Sequence, residues 1–304
     1  MCTAISDKNL FGRTLDVEED YGQQIVLSPR NYKKIGNKYA IFGVALIAGD
    51  YPLYFDGTNE KGLSAAGLNY PGNAFYNVKK EGKVNLAPFE FLPYILGNFE
   101  SVEEVKKESE KINITDTHFS DELKNTPMHW IVSDEKDSIT IEPTREGLKI
   151  YDNPVGVLTN NPPFDIQLFG LSRYMGLSAK APENTFSYKI NLNIYSRGMG
   201  AIGLPGDLSS PSRFVRAVFA KYNIIYEKGE EITRFFHILG SVCQQKGCVI
   251  TETGEYEYTL YENCYDRKSL KLYYKTYYGR EINQVHFKRE NFDGEKLISY
   301  EMKK

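Results

Sequence analysis

Residues 1–16, MCTAISDKNLFGRTLD, carry the reading on which the rest of the chain is interpreted. Cys2 follows the initiator methionine, and its small side chain permits removal of Met1. The processed chain then begins with a cysteine that holds a thiol and a free α-amine on one residue. A free thiol titrates near ~8.5 and an α-amine near ~7.7–8.0, so both lie close to working pH. The amine can take the thiol proton, directly or through one water, and return it to a leaving amine. A cysteine beside a terminus is equally compatible with no role at all. The residues that follow weigh against that bland reading. Arg13 and Asp16 lie eleven and fourteen positions after Cys2, and a two-strand hairpin of that length returns Arg13 to the side of Cys2. A guanidinium there favours the thiolate, and a carboxylate can hold an α-ammonium. The competing expectation for such an Arg/Asp pair is an exposed ion pair of little consequence.

Outward from this segment, the first half reads as strands. Residues 39–47 (YAIFGVALI) form an apolar run of strand length, and 62–68 (GLSAAGL) a short strand of small residues. The period then changes. Residues 87–99 are helical, with Asn85 as the expected cap, and 101–112 (SVEEVKKESEKI) form a helix with a capping box between Ser101 and Glu104. Strands return at 129–133, 138–143 and 155–159. Helices follow at 164–177, 212–223 and 230–245, and strands again at 256–261 and 270–277. Strands, then helices, then strands indicate an α+β fold with antiparallel sheets rather than alternating βα units. With no internal repeat, low-complexity tract or linker, residues 1–304 are expected to form a single domain.

Bulk properties narrow the function. A net charge of −3 offers no basic footprint for nucleic acid. The N-terminus lacks an apolar signal region, and no stretch of about 18 apolar residues is present, so neither secretion nor a membrane span is expected. Cys2, Cys243, Cys248 and Cys264 are too widely spaced for a disulfide framework. With four histidines and no CxxC pair, no structural metal site is expected either. The chain reads as cytoplasmic and free of cofactors.

Several segments together resemble one family. MCT, FGRTLD, DGTNEKGLSAAGLNYP (56–71), LTNNPPFD (158–165) and GLPGDLSSPSRFVR (203–216) look like the choloylglycine hydrolases, in the expected order and over nearly the whole length. That family contains conjugated bile acid hydrolases and penicillin V acylases on the four-layer αββα N-terminal-nucleophile fold. The resemblance implies that Cys2 is the nucleophile and its amine the base. It places Arg13 beside the thiol and makes Asp16 the group that orients the amine. Asn160 implies a side-chain oxyanion donor, Asn69 a backbone one, and Arg213 a stabiliser of charge in the transition state. Oxyanion stabilisation requires about two preorganised donors. Considered as isolated residues, Asn69 and Asn160 are as well explained by turns near proline. Arg213 falls in the first turn of a helix, where a cation opposes the macrodipole, which points to a use beyond helix stability. Two departures stand out. The stretch between Cys2 and Arg13 is short for the family, and Asn161 replaces a more usual serine.

The expected function is therefore cleavage of the amide in glycine- or taurine-conjugated bile acids. Asn69 resembles the bile acid branch, whereas penicillin V acylases usually carry Tyr there; that acylase activity is the nearest alternative. A papain-like enzyme needs a histidine partner, and His118, His129, His237 and His286 lack a recognisable context. A binding protein that has lost its chemistry is disfavoured by the joint presence of all six site residues. A steroid trough is expected from Tyr21, Ile47, Phe55, Phe75 and Tyr76. Arg197, in the loop YSRGMG (195–200), resembles the glycine-preferring enzymes, and its planar fork suits a carboxylate better than a sulfonate. The resemblance also implies a homo-oligomer, with a tetramer favoured.

Overall fold

The computed structural model describes residues 1–279 and 281–303. Its first strands are β1 (Cys2–Asp7), β2 (Leu10–Val17), β3 (Gln24–Ser28), β4 (Ile41–Ala48), β5 (Tyr51–Asn59) and β6 (Ser64–Asn69). After β7 (Val84–Leu86) come helices α1 (Phe91–Asn98) and α2 (Val102–Ser109), then β8 (Ile112–Ile114), β9 (Met128–Ser133), β10 (Ser138–Thr144), β11 (Gly147–Asp152) and β12 (Val157–Leu158). Helices α3 (Phe164–Gly170), α4 (Ser210–Asn223) and α5 (Glu231–Gly240) precede β13 (Val249–Ile250), β14 (Tyr256–Asp266), β15 (Lys271–Thr276), β16 (Asn283–His286) and β17 (Ile298–Tyr300). Among the described residues no helix is long and apolar enough to cross a membrane.

Two antiparallel sheets are stacked between helices, giving an α+β architecture. One sheet runs β12-β1-β2-β14-β15-β16 with β13 beside β14; the other runs β11-β10-β9-β6-β5-β4-β3-β17. Phe42, Val44, Ala66 and Leu68 of the second sheet meet Ala4, Phe11 and Leu15 of the first, and Phe214, Phe235 and Leu239 of α4 and α5 continue the same core. On the outer face of the second sheet, Val26, Trp130, Val132 and Ile141 pack against Phe91, Ile95, Leu96, Val102 and Val105 of α1 and α2. Successive strand residues point to opposite faces, and the inner strands β1, β2 and β6 are buried on both.

Two buried polar ties lock the sheets together. Asp56 on β5 accepts hydrogen bonds from Tyr261, Asn263 and Tyr265 on β14. Arg267 donates to Ser64 and Ser133 across the gap and to the main chain of Lys8 and Asp134. Burial lowers the Arg267 guanidinium to about 10, against the opposing pull of Asp134. Gly12 explains part of FGRTLD: a Cβ there would lie 1.9 Å from the Asn263 carbonyl oxygen, so only glycine lets β2 and β14 approach this closely.

The helices depart from expectation at their ends. Asn85 is not a cap; its side chain closes a loop with Lys80 and Lys83. The cap is made instead by the Glu90 carboxylate, which accepts the Ala87 N–H at 2.8 Å ahead of a 3-10 turn. Ser101 caps α2 as expected, accepting from the Glu104 N–H, but the Glu104 side chain accepts from Glu100 rather than from Ser101. Ile112 belongs to β8, parallel to β7, because its apolar side chain is used by the sheet side of that core. The helices expected over 164–177 and 230–245 stop at Gly170, followed by a 3-10 turn, and at Gly240.

Candidate active site

β1 and β2 form the predicted hairpin, with Cys2 opposite Leu15 and Ala4 opposite Arg13. Pairing and alternation together assign the faces. Cys2, Ala4, Arg13 and Leu15 point toward the second sheet, while Thr3, Thr14 and Asp16 point toward α4. Cys2 therefore sits between two buried arginines, one on each side of its strand.

Arg13 donates from Nη1 to the carbonyls of Phe55 (2.9 Å) and Gly67 (2.7 Å), and from Nε to Thr14 (3.1 Å). Its nearest carboxylate is Asp56, at 4.0 Å. Burial pulls the Arg13 pKa down, but the charges of Cys2, Tyr261, Asp56 and Asp16 outweigh it and hold the group above its ordinary value. Its main-chain N–H donates to Asn263, the residue that also binds Asp56, so Arg13 is fixed through both sheets.

Arg213 lies on the other face, fully buried in the first turn of α4. It donates from Nη1 to the Cys2 carbonyl (2.7 Å) and Thr3 Oγ1 (2.6 Å), from Nη2 to Asn160 Oδ1 (2.8 Å), and from Nε to Leu208 (3.0 Å). Asp16 Oδ2 is 3.8 Å from Nη1. Burial lowers the pKa of Arg213, opposed by Asp16, Cys2 and Glu257. These partners outweigh the unfavourable helix dipole noted from the sequence.

Asn160 joins the two halves. Its Oδ1 accepts from the Cys2 N–H at 2.8 Å and from Arg213, which fixes which end of the amide is oxygen. Its Nδ2 donates to the Asn69 carbonyl at 2.7 Å, leaving a second N–H on the same nitrogen. Ser210 Oγ accepts the Asn160 N–H at 2.8 Å. Asp16 is held by Thr14 Oγ1 (3.0 Å) and Thr259 Oγ1 (2.6 Å), and its carbonyl lies 4.0 Å from Cys2 Sγ. The Met1 ammonium donates to that same carbonyl at 2.6 Å and pairs with Glu257 Oε2 at 2.6 Å.

Cys2, Arg13, Asp16, Asn69 and Glu257 form the polar end of a cleft of about 470 Å³. Leu46, Leu53, Phe55, Phe89, Leu92, Phe119, Met128 and Trp130 give it apolar walls, and Glu18, Glu122, Lys124, Asn125 and Thr126 also line it. Of the expected trough residues, Tyr21 and Phe55 line it and stack on each other, with centroids 6.0 Å apart. Ile47 does not; it faces the α1 side of its strand, and its neighbour Leu46 takes the cleft position. Phe75 lies under the Arg145 guanidinium instead. Tyr76 is held by Thr126 and Met128 and belongs to the outer core. Arg197 is exposed in its loop and does not reach the cleft. His129 is buried, bonded to Thr159 at 2.8 Å and stacked on Tyr70, which is a packed histidine. Asn161 ties its loop to Pro71 at 2.7 Å.

A buried N-terminal-region thiol flanked by a guanidinium, an oriented amide and a carboxylate is an arrangement for acyl transfer. The family model for linear amide C–N hydrolases of the choloylglycine hydrolase family matches residues 2–300. The chain belongs to the choloylglycine hydrolase family. It is 50% identical over 316 residues to the bile salt hydrolase/transferase of Lactiplantibacillus plantarum, covering 100% of this chain and 97% of that protein. The structure of the mutant C2A conjugated bile acid hydrolase from Clostridium perfringens matches with a TM-score of 0.93 at 37% identity, covering 100% of this chain and 97% of that one. Penicillin V acylase from Agrobacterium tumefaciens shares the fold, with a TM-score of 0.75 at 21% identity over 99% and 91% of the two chains. This choloylglycine-family hydrolase thus has the mixed helix and antiparallel-sheet fold of both branches.

Glu257, Asp56, Thr259 and most of the cleft wall escaped sequence reading. Glu257 and Thr259 sit some 240 positions from Asp16 and reach it only through the β2–β14 pairing. The Glu/Tyr/Thr alternation of 256–261 marked a strand but not which sheet it would join.

Proposed function

We propose that this chain hydrolyses the carboxamide of conjugated bile acids by covalent catalysis at Cys2. The reading rests above all on one observation: a buried thiol held between Arg13 and the Asn160–Arg213 network opens onto an apolar cleft of about 470 Å³. The names of the similar proteins from Lactiplantibacillus plantarum and Clostridium perfringens supply the substrate class.

Removal of Met1 turns the Cys2 N–H, already bonded to Asn160 Oδ1, into an amine with a lone pair. That amine takes the thiol proton, leaving a thiolate whose charge interacts with the Arg13 guanidinium. The thiolate attacks the carboxamide carbon, and the oxyanion is bound by the remaining Asn160 Nδ2–H and the Asn69 main-chain N–H. The amine returns the proton to the leaving amino acid, and water then resolves the thioester. Asp16 keeps the amine in place. Arg213 touches the Cys2 carbonyl and the Asn160 amide from behind, so we give it a positioning role, holding charge without meeting the substrate. The steroid lies along Leu46, Leu53, Phe55, Phe89 and Phe119, and the amino acid at the polar end.

Hydrolysis of penicillin V is the second reading; Asn69 in place of Tyr disfavours it. Because Arg197 stands outside the cleft, a glycine preference is not assigned to it within one chain. Phe186, Tyr188, Ile190, Leu192 and Ile194 alternate along an exposed segment, and we propose that a homotetramer covers them. The four free cysteines favour a reducing compartment, the cytosol. A panel of glycocholate, taurocholate and penicillin V tests the assignment. Amine release from the two bile acids should exceed penicillin V hydrolysis by at least about tenfold in kcat/KM, the scale of one well-made contact difference. Penicillin V as the better substrate would reverse the choice, and turnover of none would leave a binding protein.

A further inference from the structure

Asn160 is aimed by the peptide bond that leads into it, and that bond is pinned at both ends. Its carbonyl, on Thr159, accepts from His129 Nε2 at 2.8 Å, and its N–H, on Asn160, donates to Ser210 Oγ at 2.8 Å. Further along, the Phe164 N–H donates to Glu142 Oε1 at 2.9 Å. His129 on β9 and Glu142 on β10 are 0% and 2% exposed, and their own contact, Nδ1 to Oε1, is 3.3 Å. One buried pair therefore grips both ends of the segment 159–164 in which Asn160 stands. Gln167 ties its middle, donating to the Asn160 and Pro162 carbonyls and accepting from Thr159 Oγ1.

The hydrogen bonds also locate the protons. A carbonyl oxygen only accepts, so Nε2 carries a hydrogen toward Thr159. Glu142 Oε1 already accepts from Phe164, and a bare Nδ1 would turn a lone pair toward it. That contact is repulsive where water cannot screen it. One proton therefore lies between Nδ1 and Oε1, and the pair as a whole is neutral, whichever partner owns that proton. The Tyr70 ring covers one face of the imidazole, with centroids 4.2 Å apart and planes 5° from parallel. A glutamine at position 142 cannot reproduce the arrangement. Its oxygen can serve Phe164 only beside an imidazolium with no counter-charge, and its N–H can serve a bare Nδ1 only by opposing the Phe164 N–H.

We propose that His129 and Glu142 are positioning residues for the oxyanion donor, and that the proton they share keeps Thr159 and Phe164 held at the same time. This rests on the oxyanion role given to Asn160 above. Both side chains lie outside the cleft. They act through the direction of the free Asn160 Nδ2–H, and a misplacement of about 1 Å in such a group can cost ~10²-fold in rate.

The test is a double-mutant cycle on the processed enzyme with glycocholate, reading kcat and KM for wild type, Glu142→Gln, Asn160→Ala and the double variant. Glu142→Gln should lower kcat at least about tenfold, the scale of one hydrogen bond to a charged group, with little change in KM. In the Asn160→Ala background it should lower kcat no further, because the donor it aims is gone. A mere loss of folded enzyme would lower kcat equally in both backgrounds. Two amides at position 129 give a second reading. The amide nitrogen of glutamine reaches the place of Nε2 and can donate to Thr159, whereas that of asparagine reaches only the place of Nδ1. His129→Gln should therefore exceed His129→Asn in kcat at least about tenfold. Equal losses from Glu142→Gln in the two backgrounds, a loss confined to KM, or equal kcat in His129→Gln and His129→Asn would overturn the positioning role. Asn160→Ala with the kcat of wild type would overturn the oxyanion reading, and a wild type that releases no glycine would overturn the bile acid reading; the positioning role falls with either.

Discussion

Cys2→Ala is expected to release no measurable glycine from glycocholate while keeping the fold. Removing the nucleophile of a covalent catalyst costs on the order of 10⁶ in kcat, and no other thiol here is placed to take over. Cys264 is fully buried, and burial pushes its thiol well above the ordinary range. Burial also raises the Cys243 thiol, with Glu262 adding to the effect. Cys248 is exposed and lies outside the cleft. The methyl group of alanine fits where the thiol was, and the Cys2 main-chain bonds to Asn160 and Arg213 do not depend on the side chain, so the circular dichroism spectrum should be retained. Turnover above about 1% of wild type would remove Cys2 from the chemistry. Iodoacetamide gives the complementary reading: inactivation should track modification of Cys2, not of Cys243 or Cys248.

Asn160→Ala is expected to lower kcat by roughly 10²–10³ with little change in KM. Loss of one oxyanion donor costs about 2.7–4 kcal/mol in the transition state. The structure adds a second reason. Asn160 Oδ1 is the acceptor shared by Cys2 N and Arg213 Nη2, so alanine also frees the amine that serves as base. Both effects fall on the chemical step, whereas the cleft walls that bind the steroid are untouched. Steady-state kinetics with glycocholate separate the two parameters. A rise in KM at constant kcat would make Asn160 a substrate contact or a turn residue.

What could be read from the sequence was local. The hairpin of Cys2 and Arg13 followed from spacing, and Ser101 was legible as a cap because its signal lies within four residues. Arg213 announced itself as a cation in the wrong turn of a helix, and the structure gives the reason: its partners Cys2, Thr3 and Asn160 come from other elements. The resemblance implied all six central residues, and the structure brings all six together around one strand. What stayed hidden was non-local or a matter of phase. Ile47 and Leu46 are neighbours in an apolar run, and period-two alternation allows only one of them into the cleft. A run apolar on both faces carries no phase signal, so the sequence reads equally well either way. Asn85 looked like a cap because asparagine usually serves as one, yet Glu90 reached back to Ala87 first. Glu257 and Asp56 depend on which strands of two sheets lie side by side, and nothing within a few residues of either records that.

The central claim is that a processed Cys2 carries the acyl group. It is tested most directly by quenching the enzyme with acid during turnover of glycocholate and measuring the mass of its N-terminal peptide. The account predicts a peptide that begins at Cys2, lacks Met1 and carries a cholyl group on the sulfur. Sustained turnover by protein whose peptide still begins at Met1, or a cholyl group found on Cys243 or Cys248, would contradict it.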